Sequence, residues 1–167
     1  MLNFVTEVVT QYTISSNCVR AAVIRYGSIA DVRIQLNQYS DVNRLVQAIS
    51  QIPLSGGSSN LADALNMLQS TVFAGAGTTA RVVVIVTDQL QPSTAITNAA
   101  NSVKSQGIRI VAVGIGGVDT NYMYQIVSNR LAVLVSSYSQ LVPSARNTVV
   151  GQQYACPQYI APTPARM

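Results

Sequence analysis

Six consecutive β-branched residues, Val82 to Thr87 (VVVIVT), constrain the fold of this chain more than any other feature. Side chains branched at Cβ suit a pleated strand. An unbroken apolar run suits a strand covered on both faces, as parallel strands are. Arg81–Thr87 therefore reads as a buried strand. A second such run, Ile108–Val113, follows a segment opened by Pro92 or Ser93 and closed by Gly107, the punctuation of a helix. Strand, helix and strand in that order imply an open, mostly parallel α/β sheet with helices on both faces.

The remaining segments extend the alternation. Leu2–Ile14 has helical spacing at Phe4, Val5, Val8, Val9 and Tyr12, with Asn3 as a candidate cap. Val19–Tyr26 reads as a strand, Gly27-Ser28 as a turn, and Val32–Leu36 as a second, antiparallel strand. Ser40 or Asp41 caps a helix carrying Val42, Leu45, Val46 and Ile49, and Pro53 stops it. After a Ser/Gly loop, Asn60–Phe73 reads as helix, with Leu61, Ala64, Leu65 and Leu68 on one face. Thr120–Ser128 is a short helix, Leu131–Val135 a last strand and Tyr138–Val150 a final helix. One domain over residues 1–151 is expected, with an extended or disordered tail over 152–167.

Composition removes several functional classes. The 167 residues include no histidine, so there is no Ser-His or Cys-His pair and no imidazole metal ligand. Only Glu7, Asp31, Asp41, Asp63, Asp88 and Asp119 carry carboxylates. The net charge of +4 comes from scattered basic residues that form no stripe, which argues against nucleic-acid binding. No apolar run reaches the ~20 residues of a membrane span. Met1–Thr13 lacks the marks of a signal peptide. Walker A and GxGxxG motifs are both absent, which disfavours a nucleotide-using enzyme.

In open α/β sheets ligands bind at the carboxyl ends of the strands. Ser55–Asn60, Asp88-Gln89 and Gly114–Gly117 are expected there. Gly114–Gly117 reads as a phosphate cradle or, more simply, as a turn. Asp63 reads as a ligand or as a first-turn acid favoured by the helix dipole.

Three stretches, in this order, resemble the von Willebrand factor type A domain. They are CVRAAVIRYGSIADVRIQLNQYSDVNRLVQAISQIPLSGGSSNLADAL, RVVVIVTD and AANSVKSQGIRIVAVGIG. The resemblance covers Met1–Val150 and is nearest to the extracellular, collagen- and matrix-associated members. It implies a Rossmann-like fold with one antiparallel edge hairpin. It also implies a non-enzymatic adhesion module whose ligand face, here Ser58, Ser59, Asn60, Asp88 and Gln89, lies at the strand ends. The expected partner is a protein, collagen or another matrix protein, in an extracellular setting.

The family's metal site uses an Asp-x-Ser-x-Ser stretch, a loop Thr and an Asp after the central strand. Ser59 falls on the loop Thr and Asp88 on the strand-end Asp, so the resemblance implies a partial metal site. Asp-x-Ser-x-Ser occurs nowhere in this sequence, and the strand that carries it has no counterpart. Gln89 stands where the family usually has glycine. Mg²⁺ or Mn²⁺ is therefore expected only if an upstream segment supplies the missing ligands; otherwise Ser59 and Asp88 act as loop caps. The absent strand belongs between Val19–Tyr26 and Arg81–Thr87. Its slot is expected either to stay open or to be closed by rearranged pairing, and an open slot invites self-association. A metal-independent structural module acting by packing or self-association is the alternative function. Family members often staple their ends, which makes Cys18–Cys156 a candidate disulfide; two free thiols are the other reading.

Overall fold

The computed structural model describes residues 1–53, 56–76 and 80–150. Among the described residues five strands form two sheets. β1 (Val23–Tyr26) and β2 (Ala30–Ile34) make an antiparallel hairpin, and β3 (Val82–Thr87), β4 (Arg109–Ile115) and β5 (Ala132–Val135) make a parallel sheet in that order. The helices are α1 (Leu2–Val9), α2 (Val42–Ser50), α3 (Leu61–Met67), α4 (Thr94–Ser105), α5 (Thr120–Ile126) and α6 (Arg146–Val150).

Local chemistry explains most of the boundaries. Asp41 begins α2 by accepting the Arg44 amide at 2.9 Å, and Asp119 begins α5 by accepting the Asn121 and Tyr122 amides. Gly107 ends α4 at φ +72, where a glycine is unstrained. Three of the expected helices are corrected. α1 stops at Val9 and is preceded by Met1 at its cap position, not Asn3. The helix expected over 60–73 turns π-helical over Leu68–Val72. The helix expected over 138–150 begins as a 3₁₀ turn, Tyr138–Gln140, and a π turn, Leu141–Ala145, before α6; Pro143 has no N–H to give to a regular ladder.

The two sheets do not share a backbone ladder: β1 and β3 lie in separate sheets. Side chains span the interval instead. At one end the Arg20 guanidinium reaches the Ala76 carbonyl at 3.4 Å, and at the other the Tyr26 phenol donates to the Val86 carbonyl at 3.0 Å. Corresponding ends therefore meet, and β1 runs parallel to β3. Among the described residues β1 and β3 are not paired, so the rearranged pairing expected as one outcome is not found.

The core follows this division. Under α3 and α4 one cluster is continuous across both sheets; Ile24 and Tyr26 of the hairpin pack with Leu61, Leu65, Val83 and Ile85. On the α1 side there are two clusters. Phe4 and Val8 pack over Val111, Val113 and Val82, while Val9 joins Ile34, Leu45 and Ile49. β3 is accordingly not covered on both faces along its whole length: Val84, at its centre, is 37% exposed.

Candidate functional site

The carboxyl ends of β1, β3 and β5 converge on one end of the molecule. The turn after β1 anchors the first loop, because the Asn60 amide donates to the Gly27 carbonyl at 2.8 Å. Gly57 sits at φ +116, and a Cβ there would stand 2.0 Å from the Ser28 hydroxyl. Only glycine permits that approach. Asn60 begins α3, its side chain accepting from the Asp63 amide at 3.4 Å and donating to the Asp63 carboxylate at 2.5 Å. Asp63 is thus engaged at its own helix start.

Ser58 is exposed on this loop. Ser59 differs: its hydroxyl oxygen is shielded from solvent and has no hydrogen-bond partner among the described residues. A buried unpaired hydroxyl is uncommon and costs free energy.

After β3, the Thr87 hydroxyl accepts from the Gln89 amide at 3.2 Å and donates to the Gln89 carbonyl at 2.7 Å. That closes a tight turn and leaves Asp88 and Gln89 exposed. The Asp88 carboxylate accepts a hydrogen bond from the Tyr138 phenol, delivered by the 3₁₀ turn after β5. This bond to Asp88 is the main reason the Tyr138 phenol ionises above its ordinary range, with burial adding to it. On the inner side, Tyr26 is pushed up to about 12. Burial of its hydroxyl is the leading cause; the Thr87 side chain opposes it, and the nearby Asp88 charge adds to it.

Two residues that sequence reasoning did not single out complete this end. Ile29, at the tip of the β1–β2 turn, is 70% exposed, and Tyr138 is 48% exposed. An isoleucine flanked by Ser28 at a hairpin turn is a visible signal. The partnership of Tyr138 with Asp88, fifty residues away, is not. Gly114 belongs to the packing, since a Cβ there would lie 2.6 Å from the Met123 methyl, and Gly116 makes a plain turn at φ +73. Gly114–Gly117 is therefore a strand end and turn.

A hard divalent cation needs about six oxygen ligands. Ser59 and Asp88 offer one hydroxyl and one carboxylate, and the carboxylate already holds a phenol. Among the described residues no group of three carboxylate, cysteine or histidine side chains could hold a metal. The donors present do not make a complete metal centre. A polar cluster between α4 and α5 is likewise turned inward: the Tyr122 phenol donates to the Ser93 carbonyl at 2.8 Å and accepts the Ser93 amide at 3.1 Å. Cys156 lies outside the described residues, and so does the tail expected over 152–167.

The sequence model of the von Willebrand factor type A domain matches residues 1–147. The chain belongs to the von Willebrand factor type A family. Mouse (Mus musculus) matrilin-3 is 34% identical over 135 residues, covering 77% of this chain and 28% of the relative. The collagen alpha-1(XII) chain of Notophthalmus viridescens is 28% identical over 130 residues, covering 76% of this chain and 14% of that one. This von Willebrand A domain thus spans less than a third of these matrix proteins. Proximal thread matrix protein 1 from the mussel byssus, solved with a zinc-occupied MIDAS motif, superposes with a TM-score of 0.82 at 21% identity, over 90% of this chain and 41% of that one. That likeness bears on the fold alone. Among the described residues no helix is long and apolar enough to cross a membrane.

Proposed function

We propose that this chain is a non-enzymatic protein-interaction module of an extracellular matrix protein. It binds its protein ligand, collagen or another matrix protein, at the carboxyl ends of the strands. One observation carries the reading: Ile29 and Tyr138, both large and exposed, flank a polar floor of Ser58, Asn60, Asp88 and Gln89 at one end of the fold. Protein interfaces use such exposed apolar and aromatic anchors inside a polar surround. The matrix-protein relatives support the class of partner.

Binding to an immobilised fibrillar collagen surface tests this reading. Ile29→Ser and Asp88→Ala should each weaken capture at least about tenfold, the scale of a truncated anchor. Full capture by the double variant would overturn it. Mg²⁺ or Mn²⁺ enters this face only if donors from outside the chain complete the set begun by Ser59 and Asp88, so EDTA should leave capture by this chain unchanged.

The alternative, a structural module acting by packing or self-association without metal, is favoured by the phenol already held by Asp88. Sedimentation over a concentration series separates the two readings. A monomer that binds collagen supports the first, and concentration-dependent assembly without collagen binding supports the second.

A further inference from the structure

Four basic residues far apart in sequence meet at the amino ends of the parallel strands. Arg81 immediately precedes β3, Arg109 begins β4, and Arg130 stands two residues before β5. Lys104 is in the last turn of α4, the helix that returns the chain to the start of β4. The Arg109 amide donates to the Arg81 carbonyl at 3.0 Å, and the Ile110 amide donates to the Ser128 hydroxyl at 3.0 Å, so the three strand starts lie side by side. Neighbouring strands are ~4.8 Å apart, which sets these cations in a row across the sheet.

The six side-chain carboxylates of the sequence are committed away from this row. Asp31 holds Arg25 and Arg33, and Glu7 meets Arg146 at 3.8 Å. Asp41, Asp63 and Asp119 lie at the starts of their helices, and Asp88 holds Tyr138. Asp88 and Asp119 follow β3 and β4, so six or seven strand residues, roughly 20 Å, separate them from Arg81 and Arg109. That exceeds the ~8 Å over which exposed charges act in physiological salt. The cations are also seated without loss of charge. Arg81 donates to the Gln106 carbonyl at 2.8 Å and lies 5.8 Å over the Phe73 ring. Lys104 donates to the Gln125 carbonyl at 2.9 Å, and Arg130 lies 4.3 Å over the Tyr124 ring. Arg130 takes φ +58, after Asn129 at φ +50, a conformation that arginine rarely adopts.

We propose that this end of the molecule binds a linear sulfated polysaccharide, whose sulfates are held by Arg81, Lys104, Arg109 and Arg130. A guanidinium presents a planar fork of donors that matches the oxygens of a sulfate as it does those of a phosphate. Side chains already seated lose little freedom when the ligand arrives. Exposed Ser105, Gln106 and Asn129 lie among the cations and offer neutral hydrogen-bonding groups to sugar hydroxyls. Single-stranded nucleic acid fits less well, because the Phe73 and Tyr124 rings already lie under guanidinium groups and give no platform for a base. A membrane surface also fits less well. Among the described residues the exposed large apolar side chains, Ile29, Val84, Leu134 and Tyr138, lie along the strands or toward their carboxyl ends. This face is opposite the strand-end face proposed above, and its failure would leave that reading standing.

Calorimetric titration of the whole chain with a size-defined heparin oligosaccharide, at several salt concentrations, tests it. Affinity should fall steeply as salt rises, and the desulfated oligosaccharide should not bind. Lys104→Gln with Arg130→Gln should weaken binding at least about tenfold and lower the salt slope by about one for each cation removed. Lys104→Arg with Arg130→Lys keeps the charge and should keep the binding. Arg33→Gln with Arg146→Gln removes the same charge from cations that already meet carboxylates, and should leave affinity nearly unchanged. Absence of binding by the wild-type chain, or equal losses in the two glutamine pairs, would overturn the proposal. Equally tight binding of an oligothymidylate or a polyglutamate of matched charge would overturn it in favour of a nucleic acid or an acidic protein.

Discussion

The Tyr26 phenol donates a 3.0 Å hydrogen bond to the Val86 carbonyl, and so ties together two parallel strands that share no ladder. The bond occupies one backbone acceptor on the edge of β3 that faces β1. It also puts a buried hydroxyl beside Thr87 and Asp88, at the base of the strand-end face.

Removing that hydroxyl should be felt in stability and in its pH dependence. Tyr26→Phe leaves the Val86 carbonyl without its donor and should cost about 1–2 kcal/mol in urea unfolding at neutral pH. The folded-state pKa of about 12 lies above the ordinary 10.0, so the folded protein holds this proton more tightly than the unfolded chain. Its contribution is complete below pH 10 and is lost as pH rises toward 12. The wild-type chain should therefore lose on the order of 2 kcal/mol across that window relative to Tyr26→Phe. Parallel alkaline unfolding curves for the two proteins would contradict this.

Freeing Asp88 from Tyr138 is expected to change recognition and leave stability nearly intact. The pair is exposed, so Tyr138→Phe should shift unfolding by no more than about 0.5 kcal/mol. Collagen capture should fall if the phenol orients Asp88 toward the ligand. A large loss of stability, measured by denaturant titration, would show instead that the contact is a structural clasp.

The hairpin depends on a charge cluster. Arg25 grips Asp31 with two hydrogen bonds, 3.0 and 3.2 Å, and donates to the Pro53 carbonyl at 2.9 Å; Arg33 meets the same carboxylate at 2.7 Å. Arg25 and Asp31 are register partners across the hairpin. Asp31→Ala leaves two guanidinium groups facing each other, and should destabilise the chain by about 1–2 kcal/mol. The cost should shrink at high salt, where repulsion is screened. Thermal unfolding at two salt concentrations checks both parts.

The Cys18–Cys156 bond is proposed, and it predicts a loop of more than a hundred residues closed in the folded protein. Unfolding under non-reducing conditions should release no thiol to an alkylating reagent. Reduction should lower stability by about 4 kcal/mol in the chain-entropy account. Two labelled thiols in the unreduced protein would show that the cysteines are free.

Much of this fold was legible because its signals are local. VVVIVT gives β3, Gly107 ends α4, and Asp41 and Asn60 begin their helices through their own side chains. The errors fall where a long-range neighbour decides. β1 begins at Val23 and not at Val19, because its ladder extends only as far as β2 reaches and, among the described residues, no strand pairs with its other edge. The helix expected over 138–150 runs through Pro143, whose missing N–H coincides with the π turn. At the strand-end face, Asp88 and the Ser/Gly loop were visible from their positions after a strand and before a helix. Tyr138 was not, because its bond to Asp88 depends on β5 lying at the same end of the sheet as β3. The buried Ser59 hydroxyl was equally invisible, since periodicity does not report whether a polar atom has a partner.

The most direct test is collagen capture by the wild-type chain and by the Ile29→Ser, Asp88→Ala double variant, each with and without EDTA. Capture that the double variant loses, and that EDTA leaves unchanged, is the predicted result. Capture that survives the double substitution would place recognition on another surface and contradict the account.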